Sequence, residues 1–317
     1  MTRVSLFSML VCLLLLNSSS ARAQEKTLQE RLGYPRDAKL LIVHGDDLGA
    51  THSVNAANIK ALESNGINSA SIMVPCPWFP EIADYAKSHP DTDFGLHLTL
   101  TSERVYYRWG PVAARDKVPS LVDSNGYFHH DWSAETRIDP KDVETEIRAQ
   151  IARALAMGVK PTHLDSHQNR LFQTNKELFE VVLRAAHENN LPVLIPRNWF
   201  ADFPYLEKTI GPNDVLIDRV ITIEPEVTPA KWFDFYRSAL QHLQPGVTEF
   251  VIHLAYADDE MKAATRERST WGAEWRQRDF DFFTSSEFQQ LLRANNIHLI
   301  TWREIARVMR DSSKPEK

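Results

Sequence analysis

The chain has 317 residues, with 36 Lys and Arg against 42 Asp and Glu, a net charge of −6 when the histidines are neutral. That balance excludes the basic surface on which nucleic-acid binding depends, while 43% hydrophobic residues over this length suffice for one sizeable core. Two cysteines, Cys12 and Cys76, are too few for a disulfide framework.

The first predicted element is a leader. Arg3 precedes the apolar run from Leu6 to Leu16, and small polar residues then lead to Ala21-Arg22-Ala23. A basic start, a short apolar centre and an Ala-x-Ala site make a secretory signal peptide. The run is shorter than the roughly 20 residues a bilayer-spanning helix needs. A signal peptide over 1–23 is therefore expected, with export to the periplasm or medium, no stable membrane insertion after cleavage, and Cys76 alone in the mature chain.

From there, short β-branched apolar runs alternate with longer amphipathic segments. Strands are expected at 40–44, 69–74, 94–98, 162–165, 192–196, 249–254 and 297–301. Near-continuous apolar runs suit a parallel sheet covered on both faces. Helices are expected at 54–65, 142–157 and 175–189, where apolar residues recur at helical spacing, the first two stopping at Asn-Gly and Gly158. The alternation reads as an α/β barrel or an open doubly wound sheet. The stretch 102–139, rich in Pro, Gly, Trp and Tyr, breaks the pattern and reads as a long inserted loop over the barrel mouth. Residues 311–317 read as a polar, disordered tail.

The chemistry lies where polar residues meet the strands. Asp46-Asp47 follow the first run, His97 sits near the end of the third, His163-Leu164-Asp165-Ser166-His167 ends the fourth, and His253 ends a late one. In parallel α/β folds the carboxyl ends of the strands form the active face. Each motif alone has a plain structural reading, the Asp pair as a turn and helix cap, His97 as a hydrogen-bonded core residue. Together they point carboxylates and imidazoles at one mouth, which makes a hydrolytic divalent-metal site. His163 and Asp165 suit the layer behind the ligands, where a carboxylate fixes an imidazole's tautomer. Neither a Gly-x-Ser-x-Gly nucleophile elbow nor a Gly-rich phosphate loop is present.

Three blocks carry a resemblance: Val43-His44-Gly45-Asp46-Asp47-Leu48-Gly49, Gly95-Leu96-His97-Leu98-Thr99-Leu100-Thr101 and Pro161-Thr162-His163-Leu164-Asp165-Ser166-His167. In order and spacing they are similar to the signatures of the YdjC-like (chitooligosaccharide) deacetylase family of carbohydrate deacetylases. The resemblance spans roughly Leu40 to Thr301. It implies a distorted (β/α) barrel of the polysaccharide deacetylase type, a single domain over 24–310. It also implies that Asp47, His97 and His167 hold a metal, with Asp46 as general base and His253 as general acid. The cofactor implied is one divalent ion, magnesium or zinc first, with cobalt, nickel or manganese also suited. The substrate implied is an N-acetylated sugar or oligosaccharide that loses acetate. Tyr106, Tyr107, Arg108 and Trp109, in the polar loop, are the expected substrate contacts, and Trp78 and Trp199 are further aromatics able to stack on sugar faces.

Three departures from the family pattern touch the surroundings of the ligands. Asn169 stands where the family often has a further histidine, His44-Gly45 replace the more usual Asn-Ala, and Leu254 replaces a proline after His253. Other readings remain open at this point: a metal-dependent hydrolase of a phosphoester or small amide, a non-heme iron oxygenase, and an exported sugar-binding protein without catalysis. The sequence leaves the oligomeric state unknown.

Overall fold

A computed structural model describes residues 26–133 and 136–312. The expected signal peptide lies outside the described residues. So do residues 313–317 of the expected tail, whose first two residues instead belong to the helix Trp302–Ser312.

Seven strands make one parallel sheet: β1 Lys39–Leu48, β2 Ser69–Ile72, β3 Phe94–Leu98, β4 Leu164–Ser166, β5 Arg219–Ile221, β6 Gly246–Ile252 and β7 Ile297–Leu299. The order is β4-β3-β2-β1-β6-β5, with β7 also on β1. β1 is buried from Leu40 to Leu48, as its apolar run requires when helices cover the sheet. β7 lies beside Lys39–Leu41 and β2 beside His44–Leu48. Asn68 joins the two: Val43 N donates to its Oδ1 at 2.8 Å, and its Nδ2 donates to Ile300 O at 2.5 Å. The backbone groups that would be orphaned at this splice are thereby satisfied.

The sheet curls into a half-barrel. The segment 192–196, expected as a strand, makes only two isolated bridges, Leu164↔Val193 and Pro196↔Ile217. Prolines at both its ends lack the N–H that a continuing ladder needs. β5, only three half-buried residues at the sheet edge, carries too little pattern to be read in advance.

The expected helices lie at His52–Glu63, Pro140–Ala156 and Lys176–Asn189. Each begins slightly before its apolar periodicity, because Thr51, Asp139 and Asn175 accept a hydrogen bond from the first turn. On the far side of the sheet Tyr236, Phe282, Phe283 and Phe288 pack around Phe250 of β6, every one fully buried. Burial of each such side chain contributes about 1.5–3 kcal/mol.

The loop at 102–139 begins beside the strand ends, where Tyr107 Oη donates to Ala50 O and Val105 N to Glu267 Oε1. It folds back on the helix Pro140–Ala156, where buried Glu146 accepts from Val112 N and Ala113 N, both at 2.9 Å, and Asp142 accepts from Ser120 N at 2.8 Å. Among its described residues Glu103 and Arg104 line the main cleft, and Tyr107 and Trp109 border a small space beside Asp47 and His167.

Candidate active site

Adjacent residues on a regular strand point to opposite faces, yet both Asp46 and Asp47 line the same cleft. The β1–β2 register slips between Gly45 and Leu48, and Asp47 has φ 69°. This bulge turns the second carboxylate to the side of the first, a use of bulges common beside active sites. His97 projects from β3, His167 follows β4 in a tight turn, and His253 follows β6 directly. Gln168 and Asn169, next after His167, both adopt left-handed backbone at φ 54° and line the cleft.

Three ligand-type atoms face one another. Asp47 Oδ1 lies 3.5 Å from His97 Nε2 and 3.3 Å from His167 Nδ1, and the two ring nitrogens are 3.3 Å apart. A tetrahedral ion with bonds of about 2.1 Å spaces its ligands by about 3.4 Å. The far side of each ring is occupied: His97 Nδ1 donates to Asp165 Oδ1 at 2.9 Å, and His167 Nε2 donates to Glu103 Oε2 at 2.9 Å. Each neutral ring therefore turns a bare lone pair toward the other and toward Asp47 Oδ1, a buried acceptor without a hydrogen-bond donor. Three acceptors converging on one point fit a cation, so the residues present suit a divalent metal.

Without one, the cluster draws protons. Burial lowers the pKa of His167, but Glu103 and Asp47 outweigh it and raise the ring to about 10. Burial likewise opposes, and Asp46 and Asp165 overcome, so that His97 is also raised. Asp47 is held well below the usual carboxylate range: burial would raise it, but the Arg276 guanidinium and His167 prevail. Arg276 NH2 donates to Asp47 Oδ2 at 2.5 Å.

Behind these groups His44 Nε2 sits 3.2 Å from Asp46 Oδ1 and 3.1 Å from Asp165 Oδ2, tying the two carboxylates together. Ser69 and Ser71 also bond its ring. His163 lies one step deeper. Its ring stacks on Trp302 with centroids 5.0 Å apart, meets His44 edge-on at 5.1 Å, and among the described residues bonds only Thr162 Oγ1. Gly95 makes room for it, since a Cβ there would stand 2.4 Å from the imidazole.

His253 lines the cleft with Nε2 3.8 Å from Asp46 Oδ2. Burial drops its pKa to about 4, so the ring rests neutral. Its backbone N–H donates to Asp279 Oδ2 at 3.1 Å, and Asp279 Oδ1 also accepts from Trp232 Nε1 and Tyr236 Oη.

The aromatic loop differs from expectation. Tyr106, Tyr107, Arg108 and Trp109 do not line the main cleft, a space of about 810 Å³. Tyr107 Oη donates to Ala50 O, Arg108 pairs with Asp123 and the Phe128 carbonyl, and buried Trp109 donates to Thr101 O. Tyr106 is exposed under Arg266. The polar groups of Tyr107, Arg108 and Trp109 are taken up by these bonds, which hold the loop to itself and to a residue just past β1. Trp199 does line the cleft, as do Trp271 and Phe235, while Trp78 packs against His52 elsewhere. Two functional neighbours, Glu103 and Arg276, escaped the sequence reading. For Arg276 a signal existed: with Asp279 and Phe283 it occupies positions i, i+3 and i+7 of one buried helix stripe, where a charge demands a partner.

The YdjC-like protein family profile matches residues 40–294. A carbohydrate deacetylase from Thermoanaerobacter pseudethanolicus is 32% identical over 83% of this chain and 98% of its own. One from Thermus thermophilus is 32% identical over 88% of this chain and 97% of its own. Among solved structures, an Enterococcus faecalis protein described as a candidate cellobiose-phosphate cleavage protein superposes with a TM-score of 0.71 at 27% identity, covering 84% of this chain and 99% of that one.

Proposed function

The chain belongs to the YdjC-like family, and on that premise we propose that it is a metal-dependent carbohydrate deacetylase, hydrolysing an N-acetyl group of a sugar or oligosaccharide to release acetate. The observation that carries this reading is the triangle of bare ligand atoms on Asp47, His97 and His167, set beside a second carboxylate, Asp46, that lies outside the triangle. Full-length similarity to carbohydrate deacetylases supports the choice of reaction.

A divalent ion held by the triangle, magnesium or zinc first, would supply Lewis-acid polarisation of the acetyl carbonyl and acidify a water molecule. The chain's own groups do the rest. Asp165 and Glu103 hold the two rings so that the correct nitrogen faces inward. Arg276 engages one oxygen of Asp47 and leaves the other for the ion. Asp46 takes a proton from the attacking water, and its O–H bond breaks as the new C–O bond forms. His253 is neutral at rest, so it must gain a proton before giving one. Asp46, once protonated, stands across a 3.8 Å gap and supplies it. The same proton then reaches the departing nitrogen as the C–N bond breaks, and the products are an amine and acetic acid. Export, proposed on the basis of Arg3, the apolar run and the Ala-x-Ala site, would place this activity in the periplasm or medium. Among the described residues no helix is long and apolar enough to cross a membrane.

The test is acetate release from a panel of N-acetylated oligosaccharides by metal-stripped and metal-restored protein, alongside Asp46→Asn. Metal-dependent release that falls by about 10²–10⁴-fold in the variant supports the reading. Tight metal binding with no acetate from any sugar refutes it.

A further inference from the structure

Glu249 lies in the middle of β6 between Thr248 and Phe250, and all three are fully buried. A carboxyl group taken out of water is costly, so its place on an interior strand needs a reason. One reason is Trp302, whose Nε1 donates to Glu249 Oε2 at 2.8 Å. A neutral amide would accept that bond equally well. The other oxygen, Oε1, has no hydrogen-bond donor among the described residues and stands 3.9 Å from His44 Nδ1.

His44 shows what that oxygen acts on. Its Nε2 lies between Asp46 Oδ1 and Asp165 Oδ2, so this nitrogen carries a proton that the two carboxylates share. In a neutral ring the bare lone pair of Nδ1 would then face Glu249 Oε1. A second proton, on Nδ1, instead gives Ser69 Oγ a donor at 2.9 Å and turns a positive ring toward the carboxylate. Burial lowers the pKa of His44, but Glu249, Asp165 and Asp46 outweigh it and raise the ring well above its ordinary value. Glu249 is itself pushed up to about 8, chiefly by burial, with His44 opposing and Asp165 and Asp46 adding. Two more imidazoles stand close to the pair. His163 of the segment before β4 meets His44 edge-on and is held neutral by burial and by His44, while His97 of β3 lies beyond Ser71.

We propose that Glu249 is a positioning residue for the hydrolysis: acting through His44, it keeps one positively charged ring bonded to both Asp46 and Asp165. The base is thereby fixed relative to His97, the ring that Asp165 orients. The place of Glu249 in the reaction rests on the deacetylase reading; its hold on His44 does not.

Ring-nitrogen NMR of histidine-labelled, zinc-loaded protein reads the charge on His44, with His44→Gln identifying its signals by their loss. Glu249→Gln keeps an acceptor for Trp302 and removes the charge. In that variant the His44 ring loses a proton about 1–3 pH units lower than in the wild type. Over the range in which only the variant's ring is neutral, kcat for acetate release falls while KM stays unchanged. Glu249→Asp, with the charge one methylene further off, lies between. A ring that titrates alike in wild type and Glu249→Gln overturns the proposal, and so does a shifted ring with kcat unchanged at every pH. Should Glu249→Gln fail to fold, the metal-free wild type gives the answer: its His44 signals shift as the Glu249 carboxyl ionises near pH 8, and no such step overturns the coupling. A shifted ring in a protein that releases acetate from no sugar would overturn the deacetylase reading alone.

Discussion

Asp165 gives the sharpest handle on how the site is held. Both of its oxygens are engaged, Oδ1 by His97 Nδ1 at 2.9 Å and Oδ2 by His44 Nε2 at 3.1 Å, and the residue is 2% exposed. Burial would raise its carboxyl, but the His97 and His44 rings outweigh that and hold it below the usual range. Asp165→Asn keeps the shape and removes the charge. An amide has one acceptor oxygen, so one ring loses its partner and faces an NH₂ group instead. If His97 turns, the lone pair directed at Asp47 and His167 turns with it. Loss of such a ligand orienter weakens metal affinity by about 10–100-fold, or about 1.4–2.7 kcal/mol. Because this carboxylate also holds His44 against Asp46, the upper half of that range is expected, together with a lower melting temperature of the metal-free protein. Titration of zinc or manganese against a competing chelator measures the first effect and circular dichroism the second. A folded variant with wild-type metal affinity would refute the assignment of Asp165 as the group that orients His97.

Metal loading at pH 7–8 should release protons, because His167 is raised to about 10 in the metal-free protein and must give up a proton to act as a ligand. Affinity then increases with pH toward that value, and calorimetry in buffers of different ionisation enthalpy counts the protons; no release would contradict the geometry. Arg276→Met leaves Asp47 buried without its cation and should cost the metal-free protein about 3–5 kcal/mol in urea denaturation, with part of the loss recovered on adding metal; equal stability of variant and wild type would contradict it. Asp279 offers a pH-dependent test of the scaffold. Burial raises its pKa to about 6 from an ordinary 3.8, so its contribution is fully present below about pH 4 and is lost as pH rises through 6, a change of about 3 kcal/mol. The stability of wild type relative to Asp279→Asn should therefore fall by about that amount between pH 4 and pH 7, and a difference that does not vary with pH would rule the shift out.

What the sequence determined by itself is the chemistry carried at strand ends. Asp46, Asp47, His97, His167 and His253 are conspicuous because each sits in or directly after a short apolar run, and the alternation of such runs with helical periodicity already implies a parallel α/β sheet. Those signals are local, needing only a strand and the residue next to it. Which of the polar residues would share one cleft depended on features with no local signature. The bulge that turns Asp47 beside Asp46 is a matter of register between β1 and β2. Glu103 reaches His167 from a loop, and Arg276 reaches Asp47 from a helix 229 residues away. A charged residue in a loop or on a helix is solvated by default, and only packing against a distant strand makes it a partner. The same reason explains the loop at Tyr106 to Trp109: its aromatics look like a sugar platform in isolation, but contacts with Ala50, Thr101 and Asp123 engage Tyr107, Trp109 and Arg108, while Tyr106 stays exposed. Long-range contacts are chosen by which buried polar groups would otherwise go unpaired, and that choice is made only when the whole chain has folded.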